Sequence, residues 1–157
     1  MTRRSAQHTS FVLERRFAAP PARVFKAWAD PTVKRRWSDC HADGGTTEYS
    51  MDFRSGGREI HRANLPNGKL QVIEKTFLEI VPDARIIFAY GIEADGRYLS
   101  ASLVTAEFHP DGPGTHLKLT EQLAYLDGHM DLDERIRGTS EGLDRLALEL
   151  AGDLPAH

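Results

Sequence analysis

Glu121 stands in the run Leu117-Lys118-Leu119-Thr120-Glu121-Gln122-Leu123, where strand alternation puts it on the same face as three leucines. Desolvation raises the pKa of a carboxylate on an apolar face unless a partner holds it ionised. So placed, it can act as a general acid/base or anchor a ligand through a hydrogen bond. Arg58, Arg62 and Tyr90 are candidate partners, and a bulge turning the side chain to water is the plainer alternative. Glu74, between Val72 and Thr76, raises the same question, with Ile73 leaving its strand's parity open. His61 is a second polar candidate for an inner face, an exposed position being equally open. Trp37 and Tyr49 fit the lining or mouth of a site, although aromatics more often pack in cores.

Other chemistries lack their residues. Cys40-His41 suggests a thiolate–imidazole couple, but adjacent side chains on an extended chain point apart. The seven histidines form no H-x-H or H-E-x-x-H motif and pair with no cysteine cluster, so no metal site is expected. Asp127-Gly128-His129-Met130-Asp131-Leu132-Asp133 looks superficially like a calcium loop, but its glycine falls at the wrong position. A helix start explains its acids better. No phosphate-cradling glycine loop or Ser/His/Asp signature is present, and no cofactor is expected. Lys34-Arg35-Arg36 and Arg15-Arg16 read as short solvated basic patches.

The elements that must position these residues follow from local pattern. Phe11 to Phe17 alternates as a strand, and Pro20-Pro21 then opens a helix, where proline's missing N–H costs nothing. Val24, Phe25, Ala27 and Trp28 give that helix one apolar stripe. Asp30-Pro31 ends it, and Val33 and Trp37 mark a second short helix. Strands are expected over 47–54, 58–64, 70–80, 85–92, 100–108 and 115–125. Turn residues such as Gly56-Gly57, Pro66-Asn67-Gly68, Pro82-Asp83, Asp95-Gly96 and the 110–114 segment separate them. Ile86, Phe88 and Tyr90 share one face, as do Val104, Ala106 and Phe108. Leu132, Ile136, Thr139, Leu143, Leu146 and Leu150 then form one stripe of a long final helix. Asp131–Arg135, Asp133–Arg137 and Glu141–Arg145 are expected as ion pairs on its other face. Gly138 and Gly142 cost that helix roughly 1 kcal/mol each against Ala, and either admit the sheet closely or leave a gap.

These segments carry a family resemblance. Phe17 with Ala19-Pro20, Val24-Phe25-Lys26-Ala27-Trp28, Asp30-Pro31, Trp37 and Asp52-Phe53-Arg54-Ser55-Gly56-Gly57-Arg58 resemble the motifs of helix-grip (START-like, SRPBCC) domains. The match is nearest to the group named for homology to the activator of heat shock protein 90 ATPase, the AHSA type, and runs from about Phe11 to Leu150. It implies an α+β fold, with a curved antiparallel sheet of about seven strands gripping a long C-terminal helix. It also implies a cavity between helix and sheet. Ser38 and Gly142-Leu143 replace aromatics common in relatives, so ligand preference does not transfer. The eukaryotic co-chaperone's additional amino-terminal domain has no counterpart here, so a chaperone is not an expected partner.

Composition sets the remaining bounds. One domain over residues 1–157, with a core of about 11–150, is expected from the length. Net charge of −3 gives no electrostatic reason for nucleic acid, and no apolar run approaches the ~20 residues of a membrane helix. A single cysteine and the lack of a signal-like N-terminus make a cytoplasmic setting the expectation. A homodimer is allowed. The leading functional expectation is binding of a small apolar molecule (lipid, aromatic or polyketide-like). Its site would draw on Trp37, Tyr49, His61, Phe88, Tyr90, Val104, Phe108, Leu119, Glu121, Leu143 and Leu146. A cyclase- or hydrolase-type enzyme using Glu121, and a protein-interaction domain with a filled interior, are the alternatives.

Overall fold

The computed structural model describes residues 4–39 and 45–152; Cys40 and His41 lie outside them. The chain runs β1 (Ala6–Phe17), α1 (Pro21–Ala29), α2 (Pro31–Ser38), β2 (Thr46–Met51), β3 (Arg58–Asn64) and β4 (Leu70–Val81). It continues through β5 (Arg85–Ala94), β6 (Arg97–Asp111) and β7 (Gly114–Leu126) to α3 (Leu132–Ala151). The strands form one antiparallel sheet in the order β1-β7-β6-β5-β4-β3-β2. Each hairpin connects neighbours, while α1 and α2 carry the chain from one sheet edge to the other.

Local chemistry explains the breaks. Asp30 caps α2 by accepting from the Thr32 and Val33 amides while its own amide closes α1, so one residue serves two helices. The strand expected over 47–54 stops at Met51, because a tight turn follows in which the Gly57 amide bonds the Arg54 carbonyl. Gly56 has φ of 82°, and a Cβ on Gly57 would lie 2.0 Å from the Asp52 carbonyl oxygen, so the turn demands both glycines.

The core lies between the concave sheet face and the helices. Val24, Phe25, Ala27 and Trp28 of α1 are buried, with Phe25 and Trp28 packed edge-on against Phe108. Leu143, Leu146 and Leu150 bury the second half of α3 in the same cluster. Leu132 and Ile136 of its first half pack against a smaller group of Phe11, Leu123 and Tyr125. Polar fasteners tie α3 down at its edges. Arg36 pairs with Glu149, Arg23 donates to the Leu150 carbonyl, Arg15 donates to Ser140, and Arg145 donates to the Trp37 carbonyl at 2.8 Å.

Several side chains depart from the sequence expectation. Lys34 is not on a solvated face but is 2% exposed. Arg135 turns inward rather than lying on the outer face of α3, because a buried carboxylate waits there. Among the described residues, Asp133–Arg137 and Glu141–Arg145 form no ion pairs, Arg145 being committed to the Trp37 carbonyl.

Candidate functional site

A cavity of about 210 Å³ lies between α3 and the sheet. Its walls come from α1 and α2 (Trp28, Lys34, Trp37, Ser38) and from the concave faces of β4 to β7. Thr139 and Leu143 of α3 form the roof. Gly138 and Gly142 also line it: a Cβ on Gly138 would touch nothing within 4 Å, and one on buried Gly142 would meet only the Arg145 guanidinium at 3.7 Å. The two helix glycines therefore leave a gap rather than a close contact.

Two polar clusters border this space. At the β7 side, Glu121 is 2% exposed, and Tyr90 Oη, Ser102 Oγ and Arg135 Nη1 donate to its Oε2 at 2.6, 2.8 and 3.1 Å. Register explains the convergence, since Tyr90 pairs with Ser102 across β5 and β6, and Val104 with Glu121 across β6 and β7. Arg135 also donates to Ser100 Oγ at 2.8 Å and lies 3.7 Å from Asp131, so it fastens the start of α3 to the sheet. Burial, followed by the Glu121 charge, pushes the Tyr90 hydroxyl well above its ordinary pKa. It stays a donor. Of the partners considered for Glu121, the structure selects Tyr90; Arg58 instead pairs with Glu74 on the outer face at 2.9 Å, and Arg62 with Glu48 at 3.1 Å.

At the β3 side, Lys34 Nζ donates to Glu59 at 3.0 and 3.3 Å, Tyr49 Oη donates to it at 2.6 Å, and Lys75 Nζ stands 3.6 Å away. Lys34 lies over the Trp28 and Trp37 rings, and Lys75 over Phe88 and Tyr90. Burial pulls the Lys34 ammonium down to about 8 against the attraction of Glu59, and repulsion from Lys75 adds to the fall. Burial also opposes ionisation of Glu59, but Lys34, Lys75 and Tyr49 outweigh it and hold the carboxylate at about 2.

Of the residues expected at a ligand site, Trp37, Phe88, Tyr90, Val104, Leu119, Glu121 and Leu143 line the cavity. Phe108 and Leu146 lie in the packed core beside it. Tyr49 supports Glu59 instead. His61 faces Tyr49 edge-on and sits within a Thr46–Asp39 group, with Thr46 Oγ1 2.8 Å from its Nε2. Sequence reasoning missed Lys34, Glu59, Lys75, Ser102 and Arg135. Parity could have found three of them: Ser102 precedes Val104 by two, Glu59 precedes His61 by two, and Lys75 lies between Ile73 and Phe77. Among the described residues, no group of three or more His, Cys, Asp or Glu is arranged to hold a metal ion. No described helix is long and apolar enough to cross a membrane.

The single curved antiparallel sheet gripping a long C-terminal helix defines a helix-grip, SRPBCC-type protein. The family model described as activator of Hsp90 ATPase homolog 1-like protein matches residues 18–152, and the chain belongs to that family. It is similar to a solved uncharacterised protein of Rhizobium leguminosarum, with 43% identity over 96% of this chain and 99% of the other, at a TM-score of 0.91. A protein of Rhizobium loti shares 41% identity over 92% of this chain and 99% of its own, at a TM-score of 0.86. CalU16 of Micromonospora echinospora, 22% identical over 94% of this chain and 85% of its own, shares the fold at a TM-score of 0.65. Among curated proteins, none matches.

Proposed function

We propose that this protein binds a small, largely apolar molecule in the cavity between α3 and the sheet. One observation carries the reading: two glycines in the middle of α3 border unfilled space, against a helix-propensity cost of roughly 1 kcal/mol each. Close-packed interiors leave few voids larger than a water molecule. Apolar cavities of about 150 Å³ hold benzene, so a space of about 210 Å³ suits a monocyclic compound better than a full lipid. Leu143→Trp, which fills the roof, should abolish binding of monocyclic aromatics followed by ligand-detected NMR. Unchanged binding would place the ligand elsewhere.

Catalysis by Glu121 has one supporting observation, its contact with Tyr90 beside the cavity. Arg135 argues against it, because its guanidinium, with Tyr90 and Ser102, already occupies the carboxylate at Oε2. Loss of turnover in Glu121→Gln, on any substrate the protein converts, would reinstate it. An interaction domain is less favoured, since its filled interior is not found. Val12, Leu78, Tyr98, Met130 and Leu148, the most exposed large apolar side chains, stand on five different segments.

A further inference from the structure

We infer that the cavity selects a monoanion: a compact apolar body carrying one carboxylate-like group, held at the Lys75–Lys34 end. This rests on the cavity-binding reading above and adds the ligand's charge and orientation. The argument is a charge count. Lys34, Lys75 and Arg145 line the cavity, and Glu121 is the one carboxylate that does so among the described residues. Arg135 already neutralises Glu121 at 3.1 Å. Glu59, behind the two lysines, can balance only one of them. Among the described residues Arg145 reaches no carboxylate, its Nε donating to the Trp37 carbonyl. Two cations at the wall thus lack an anion among the described residues, in a place where an unpaired charge is costly.

Lys75 is the better ligand contact. Lys34 is spent on Glu59 at 3.0 Å and sits wholly inside, whereas Lys75 keeps 22% of its side chain exposed and stands 3.6 Å from the same carboxylate. An anion at Lys75 would give one of those two cations a charge-assisted partner, while Phe88, Val104 and Leu143 receive the apolar body. The opposite end repels a second charge. All three donors to Glu121 converge on Oε2, and none of these bonds reaches Oε1. A dianion spanning the cavity would set its far carboxylate against this group.

The test compares benzamide, benzoate and terephthalate, which share a ring and differ in charge, by calorimetry and ligand-detected NMR on the whole chain. Benzoate should bind about tenfold or more tighter than benzamide, the increment of one charge-assisted contact. Terephthalate should bind more weakly than benzoate. Lys75→Met should erase the preference, with its denaturant-unfolding midpoint reporting an intact fold; Lys75→Arg should keep the preference. Benzamide binding as tightly as benzoate, terephthalate binding tighter, or a preference that survives Lys75→Met would overturn the inference and leave the cavity reading standing. Failure of both benzamide and benzoate to bind would sink the two together.

Discussion

The two carboxylates beside the cavity are built from nearly the same parts and do different work. Glu59 accepts from a tyrosine and serves two lysines; Glu121 accepts from a tyrosine and a serine and serves one arginine. Lysine is a compact point charge whose pKa yields to burial, and Lys34 has yielded to about 8. Arginine keeps its charge and forks, so Arg135 binds Glu121 and Ser100 and draws in Asp131. One cluster is a fastener between lid and sheet whose single cation serves two carboxylates. The other carries positive charge in excess. Composition alone does not separate them; the ratio of cations to carboxylates does.

The largest effect should come from Glu59→Gln, which leaves Lys34 buried without its anion and should cost roughly 3–5 kcal/mol in denaturant unfolding near neutral pH. A loss no larger than that of a surface pair would make the two clusters equivalent. Arg135→Met should cost somewhat less, since Tyr90 and Ser102 still donate to Glu121. Adding Glu121→Leu to Arg135→Met should recover much of that loss, because the matched pair then leaves together. A double-mutant cycle measures the coupling, and additive losses would deny that Arg135 and Glu121 act as a unit.

pH separates the clusters from another direction. The Glu59 pKa falls on folding from 4.5 to about 2, so its contribution is present above pH 4.5 and is lost as pH drops toward 2. Lys34 falls from 10.5 to about 8, so between those values the unfolded chain holds the proton more tightly. Its contribution to stability therefore rises with pH from about 8 to 10.5. Stability curves for wild type and Lys34→Met should diverge in that alkaline window. Parallel curves would mean the β3 cluster carries no strained charge.

Gly142→Ala should gain about 1 kcal/mol of helix propensity, since the nearest atom to the new Cβ is 3.7 Å away, while weakening any cavity ligand. Stability and affinity moving in opposite directions would mark the gap as functional. Smallest of all, Glu74→Ala should change stability by less than about 1 kcal/mol, because its bond to Arg58 lies on the outer face in water.

Much of the fold was legible because its signals are local. Prolines 20, 21 and 31 mark helix starts, and Ile86-Phe88-Tyr90 and Val104-Ala106-Phe108 announce their faces by alternation. The site was legible only where an apolar face carried an odd polar residue, as at Glu121. Lys34 misled because three consecutive basic residues look solvated, whereas on α2 Lys34 turns from its neighbours toward Trp28 and Trp37. Arg135 misled because Asp131 offers an adequate i,i+4 partner. A buried carboxylate with two hydroxyl donors is a stronger one, and it lies 14 residues away in the chain.

The order of residues alone thus determined the elements, their faces and the family, because alternation, helical spacing and turn chemistry act over a few positions. Tertiary structure alone decided which charges meet and where space remains. Those outcomes depend on register across four strands and on the seat of α3, and electrostatic pairing in a dry interior is settled by distance in space, not along the chain.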